Sequence, residues 1–353
     1  MGKKTFAFFS FLLLSAASIY CLFLVCEFVL NPNVSNAPLY SQKAPDNPAE
    51  ITSAKEDELS SEDKTNSLVT SNTKNSSLGS EITAASKGKA KGKIVTRFID
   101  SSSANLSYKK VYIKNGTSLN IDIKTSLLNP PKLKIQNTSS PQVLIVHTHT
   151  TECYMTEERD YYTDADQTRT TNNSKNIVAV GEILKKTLEK GGIGVVHATE
   201  KHDYPEYTGS YNRAADTINK YLKKYPTIKV VIDLHRDSVT SSDGTKSALV
   251  KEVEGKKAAQ VMLVSGCQSK TVTGFENWKE NFRLAVRLQQ TMEVMYPGLA
   301  RPILFTPRRY NQHLTTGSLL IECGTEANTL EQAKYSAELL GKSLVSTLNM
   351  LKE

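Results

Sequence analysis

Three short apolar runs limit what this chain can fold into more than any other feature does. Val143-Leu-Ile-Val146 leads into His147-Thr-His149-Thr-Thr-Glu152, Ile228-Lys-Val-Val-Ile-Asp-Leu234 leads into His235, and Ser318-Leu-Leu-Ile321 leads into Glu322. Runs this short and this rich in β-branched residues read as strands buried on both faces. Such strands belong to parallel sheets, whose ligands collect where the strands stop. The segments between them have helical period: Ile177, Val180, Leu184 and Leu188 before Gly191-Gly192; Ala214, Ala215, Ile218 and Leu222 within 211–225; 278–295; and Ala333, Ala337, Leu340 and Leu344 within 330–351. Further short strands are expected at 194–197, 248–253 and 261–265. Strands alternating with helices predict an α/β fold, a largely parallel sheet flanked by helices.

The N-terminal quarter has another character. Lys3 and Lys4 precede a run of largely apolar residues, 6–30, long enough to cross a bilayer, and the positive flank is expected to stay in the cytoplasm. Residues 31–93 are rich in Ser, Thr, Asn and charged groups and almost free of aromatic residues, so they cannot bury enough apolar surface to offset chain entropy. Apolar residues return at Ile94, and Val111-Tyr-Ile113 and Leu119-Asn-Ile-Asp-Ile123 alternate around Asn115-Gly116, a hairpin signal. The expected organisation is therefore a cytoplasmic end (1–5), a single membrane anchor (6–30), a disordered linker (31–93), an extension (94–140) and a catalytic domain outside the cytoplasm (141–353). A net charge of +8 suits an acidic neighbour, whether lipid, wall polymer or nucleic acid, and does not choose among them. Two of the five cysteines, Cys21 and Cys26, fall in the apolar run, and the absence of any C-x-x-C pair excludes a zinc ribbon or a thioredoxin-like motif.

The strand ends carry the chemistry. His149 and Glu152 are three residues apart on one loop, and with His235 they supply two imidazole nitrogens and a carboxylate, a set that suits zinc with one position left open. Glu322 is then the candidate general base. His147 is either the true first ligand or stands behind the site. Arg236, a second candidate catalytic residue, could hold a substrate carboxylate, polarise a carbonyl, or pair with Asp233 or Asp237. Trp278, Tyr204, Tyr207 and Tyr211 could stack on sugars or belong to the core.

These residues carry a resemblance. The H-T-H-x-x-E of 147–152, Asp233-Leu-His-Arg-Asp-Ser238, and Ile321-Glu-Cys-Gly-Thr-Glu-Ala-Asn-Thr329 with Glu331-Gln-Ala333 resemble the stage II sporulation protein P family of membrane-anchored wall hydrolases. The resemblance implies a zinc N-acetylmuramoyl-L-alanine amidase acting on peptidoglycan at the sporulation septum during engulfment, credited also with endopeptidase action on cross-links. It implies His149, Glu152 and His235 as Zn2+ ligands and Glu322 as the catalytic acid. It further implies two partners, the stage II sporulation protein D lyase and a stage II membrane recruiter, and no nucleic acid. Two other readings stand beside it: a tethered wall-binding scaffold that has lost its chemistry, and a zinc carboxypeptidase-like peptidase. The intact set of four favours an enzyme, and the tether favours an insoluble substrate near the membrane.

Overall fold

The computed structural model describes residues 89–136 and 138–352. The expected cytoplasmic end and anchor, and the expected linker up to residue 88, lie outside the described residues. Among those described, no helix is long and apolar enough to cross a membrane.

The three apolar runs form the middle of an eight-stranded sheet. They are β4 (Val143–Val146), β7 (Val230–Asp237) and β12 (Ser318–Thr325). Around them lie β2 (Leu106–Tyr108), β3 (Val111–Asn115), β6 (Val195–His197), β10 (Val261–Gly266) and β11 (Ile303–Thr306), in the order β2-β3-β11-β10-β12-β7-β4-β6. Pairing is parallel except between β2 and β3 and between β10 and β12, so the expectation of a largely parallel sheet holds. A second sheet of four strands, β5-β1-β8-β9, joins β1 (Gly92–Arg97), β5 (Tyr161–Tyr162), β8 (Lys246–Val253) and β9 (Lys256–Ala259).

Alternation along the central strands divides the core between the two faces of the large sheet. Ile145, Ile232 and Ile321 face helices α2 (Ile177–Lys190), α4 (Trp278–Met295) and α5 (Leu330–Asn349), packing with Leu184, Leu288 and Leu340. Leu144, Val146 and Val231 face the other way, against Ile218 of α3 (Ser210–Lys224). Helix α5 starts where the sequence supplies a capping box: Thr329 accepts from the Gln332 N–H, and the Gln332 side chain accepts from that of Thr329.

The hairpin expected around Asn115-Gly116 does not form. The turn lies earlier, at Lys109-Lys110 (φ 44° and 63°), and joins β2 to β3. Asn115 instead uses its side chain locally, accepting from the N–H and hydroxyl of Thr117. Asp122 accepts from Thr125 N–H and caps a short helix, α1 (Ile123–Leu128), so the alternation read at 119–123 ends in a helix. A hairpin does occur at Glu254-Gly255 (φ 50° and 75°), between β8 and β9, where the sequence reading had one strand on either side of Gly255.

Candidate active site

β7 runs three residues past its apolar part, and the strand period keeps Asp233 and His235 on the α3 face with Val231. In the parallel register β12 sets Leu320 beside Asp233 and Glu322 beside His235, so Glu322 and His235 are neighbours on one face. The loop leaving β4 is drawn to the same place by buried carboxylates. Asp233 accepts from the Thr148 N–H (2.8 Å) and hydroxyl (2.6 Å), and Asp203 accepts from the Thr151 N–H (3.1 Å) and hydroxyl (2.6 Å). Glu152 N–H donates to the His149 carbonyl, closing the tight turn that brings the two side chains to His235.

The structure thus brings together four of the predicted residues. The His149 and His235 rings meet edge to face, 5.3 Å apart at 88°, and His235 Nδ1 is 3.6 Å from Glu152 Oε2. On its other side His235 Nε2 is 2.9 Å from Asp233 Oδ1, without hydrogen-bond alignment, so the contact is electrostatic. Burial alone would strip His235 of its proton, but the two flanking carboxylates reverse this and raise its pKa well above the ordinary value. Burial likewise works to raise Glu152, and it is outweighed by the close contact with His235 and the charge of Arg236, which hold the carboxylate down at about 2. For Glu322 the balance goes the other way, because burial outweighs the lowering charge of His235 beside it. Its Oε2 is shut off from solvent and, among the described residues, has no hydrogen-bond partner, and burial pushes its pKa up to about 8.

His149 is the exception to a ready-made cluster. Its Nε2 is hydrogen bonded to the Tyr207 hydroxyl (3.1 Å), its ring stacks on that of Tyr207 at 4.7 Å, and burial lowers its pKa to about 4. Among the described residues no three His, Cys, Asp or Glu side chains are already arranged around a metal position.

The two remaining predicted residues serve elsewhere. His147 points to the α2 face of the sheet, where Nδ1 donates to the Leu234 carbonyl (2.8 Å) and Nε2 therefore accepts from His197 Nε2 (2.8 Å). Burial lowers the pKa of both, to about 3 for His147 and about 4 for His197, so this is a pair of neutral imidazoles. Arg236 pairs with neither Asp233 nor Asp237 through its guanidinium. It donates instead to the carbonyls of Cys153 (3.0 Å), Thr168 (2.8 Å) and Asp237 (3.3 Å), while Asp237 pairs with Arg301 (2.7 Å). Arg236 is a strut under the loop, and its backbone N–H donates to Glu152 Oε2 (3.2 Å).

Sequence reasoning did not single out Asp233 as the partner of His235, nor Arg169. For Asp233 a signal existed, since Asp-x-His on a strand puts both side chains on one face. Arg169 and Asp203 lie in polar loops without periodicity, and only the fold brings them to the site. Tyr207 and Tyr211, left open between sugar platform and core, both flank His149.

A mixed α/β sheet whose strand ends gather two imidazoles and two carboxylates defines the class of this protein as the fold and site present it. The chain belongs to the stage II sporulation protein P family, whose sequence model matches residues 26–344. It is 32% identical over 221 residues to stage II sporulation protein P of Bacillus subtilis (strain 168), covering 59% of this chain and 51% of the relative, so it spans about half of that relative's length. Among solved structures it is similar to an N-acetylmuramoyl-L-alanine amidase from Clostridium difficile 630 (TM-score 0.35, 17% identity, 60% of this chain and 98% of the other). It is also similar to AmiC2 of Nostoc punctiforme, another N-acetylmuramoyl-L-alanine amidase (TM-score 0.34, 10% identity, 61% and 97%). No residue role follows from likenesses this remote.

Proposed function

We propose that the chain hydrolyses peptidoglycan amide bonds as a zinc-dependent N-acetylmuramoyl-L-alanine amidase, with cross-link peptide bonds as a second target, during sporulation and engulfment. Family membership supports a role in the wall. The observation that carries the chemistry is the meeting of His149, Glu152, His235 and Glu322 on one face at the strand ends, with one buried Glu322 oxygen lacking a partner.

The donors suit zinc in type and, for one pair, in spacing. Two atoms sharing one tetrahedral zinc stand about 3.3–3.6 Å apart, and His235 Nδ1 and Glu152 Oε2 are separated by 3.6 Å. His149 would complete the set by giving up its bond to Tyr207. A zinc ion held by these three residues supplies Lewis acidity toward a carbonyl oxygen and toward water. Asp233, against His235 Nε2, orients the ring so that Nδ1 faces Glu152, the support that ligand histidines ordinarily have. Glu322 handles the proton: its Oε2, which meets no donor among the described residues, accepts it from the attacking water and returns it to the leaving nitrogen.

The apolar run at 6–30 supports a single-pass anchor with the catalytic domain outside the cytoplasm, and on this reading the stage II sporulation protein D lyase and a membrane recruiter are partners. The test is incubation of the purified chain with purified peptidoglycan, the soluble products being identified by mass spectrometry. Free stem peptides are expected, lost on chelation and restored by zinc. Full activity in protein stripped of metal contradicts the reading.

A further inference from the structure

The site has four arginines around it, and their partners sort them. Arg236 spends its guanidinium on three backbone carbonyls. Arg213 does the same on the 202–208 loop, donating to the carbonyls of His202 (2.6 Å), Glu206 (2.5 Å) and Thr208 (3.0 Å). Arg301 is buried against Asp237. Arg169 differs. Its Nη1 is anchored by the buried Asp203 carboxylate (2.5 Å) and touches the Thr151 hydroxyl (3.3 Å), while the side chain keeps 38% of its surface in solvent. Its Nη2 lies 3.8 Å from Glu152 Oε1, beyond hydrogen-bond reach, and among the described residues donates no hydrogen bond. The guanidinium also lies over the Tyr207 ring at 4.7 Å, and Tyr207 in turn stacks on His149.

A cation built in this way is fixed in position yet open to a ligand. One edge is tied to Asp203 and one face is covered by Tyr207, while Nη2, 3.8 Å from Glu152 Oε1, donates no hydrogen bond among the described residues, on a side chain that keeps 38% of its surface in solvent. A planar fork with a free edge matches a carboxylate. We infer that Arg169 binds a carboxylate of the substrate peptide, carried within one or two residues of the cleaved amide. That is a span on the order of 4 to 7 Å of extended chain. The inference rests on the amide-hydrolase reading above and gives to Arg169 the carboxylate contact that was one of the alternatives for Arg236. Tyr207 is its companion, holding the guanidinium level with the site.

The experiment uses the purified full chain loaded with zinc and two muramoyl peptides that differ only in the α-carboxylate of the second residue, free in one and amidated in the other. Wild type is expected to show a KM about 10- to 100-fold lower for the acid, the range for one hydrogen-bonded contact to a charged group. Arg169→Gln should raise KM for the acid to the level of the amide with kcat nearly unchanged. Arg169→Lys, which keeps a cation beside Asp203 but not the fork, should fall between and guards against misfolding of the Gln variant. Equal KM values for the two peptides in wild type overturn the inference, as does an equal fall in kcat on both peptides in Arg169→Lys with an unchanged KM ratio. Calorimetric binding of the same peptides to wild type separates the two readings. A preference for the acid without turnover supports the clamp and sinks the hydrolase, whereas turnover without preference does the reverse.

Discussion

At the residue scale the site is a set of opposed charges, and Glu322 is the member left out of it. His235 sits between Asp233 and Glu152, and Arg236 and Arg169 stand beside Glu152, whereas Glu322 is half-buried with one shielded oxygen that meets no donor among the described residues. In the metal-free protein its pKa near 8 exceeds that of the unfolded chain, so the folded state holds this proton more tightly. The resulting stability is complete below the unfolded pKa of about 4.5 and is lost as pH rises through about 8. Glu322→Gln, nearly the same shape, should keep the fold and the zinc, flatten that decline in a pH series of melting curves, and lower turnover by about 10² to 10⁴. Loss of zinc in this variant makes Glu322 a ligand, and full activity makes it structural. His235 and Glu322 were legible in the sequence because apolar runs stopped at them. The divergence of His147 and His149 was not, because strand period would put residues two apart on one face, and it is the turn following Val146, the last residue of β4, that separates them.

At the element scale the least ambiguous periods gave the most accurate bounds. Helix α4 spans the residues its pattern marks, 278–295, because one broad face, including Phe282, Leu284, Ala285, Leu288 and Met292, is buried against the sheet. The segment at 115–123 misled because two polar side chains direct the backbone elsewhere, Asn115 by accepting from the Thr117 N–H and Asp122 by capping a helix through the Thr125 N–H, and alternation does not register that competition. The contact of helix α2 with the sheet shows the same limit. Gly181 packs where a Cβ would lie 2.7 Å from His197 Nε2 and 2.8 Å from His147 Nε2, so the helix approaches the neutral histidine pair only through a glycine. Gly181→Ala should destabilise the protein by about 1–3 kcal/mol, the usual cost of overpacking a filled core. Denaturant unfolding of the variant tests this, and an unchanged midpoint contradicts the packing described.

At the scale of the whole molecule, the large sheet carries the site and the small sheet closes around the loop beside it. β1, which starts inside the stretch expected to be linker, pairs with β5 and β8, and the chain between β4 and α2 passes from Glu152 through β5 to Arg169 and back. Sequence reading found the middle of the large sheet, β4, β7, β10 and β12, because these strands are continuous apolar runs, and did not find β2 or β11. It missed most of the small one because β5 and β9 are short and polar or small in character. The three cysteines of the folded part, Cys153, Cys267 and Cys323, are buried and unpaired, with burial raising each thiol, so no disulfide holds the two sheets together. What unites the sheets with the chemistry is the set of side chains at the ends of β4, β7 and β12. The claim that these form one zinc site is tested most directly by metal content after gel filtration of wild type, His235→Ala and His147→Ala. About one zinc per chain is expected in wild type and in His147→Ala, whose histidine lies on the other face, and almost none in His235→Ala, which keeps only two protein ligands. Stoichiometric zinc in His235→Ala, or its loss in a folded His147→Ala, would contradict the account.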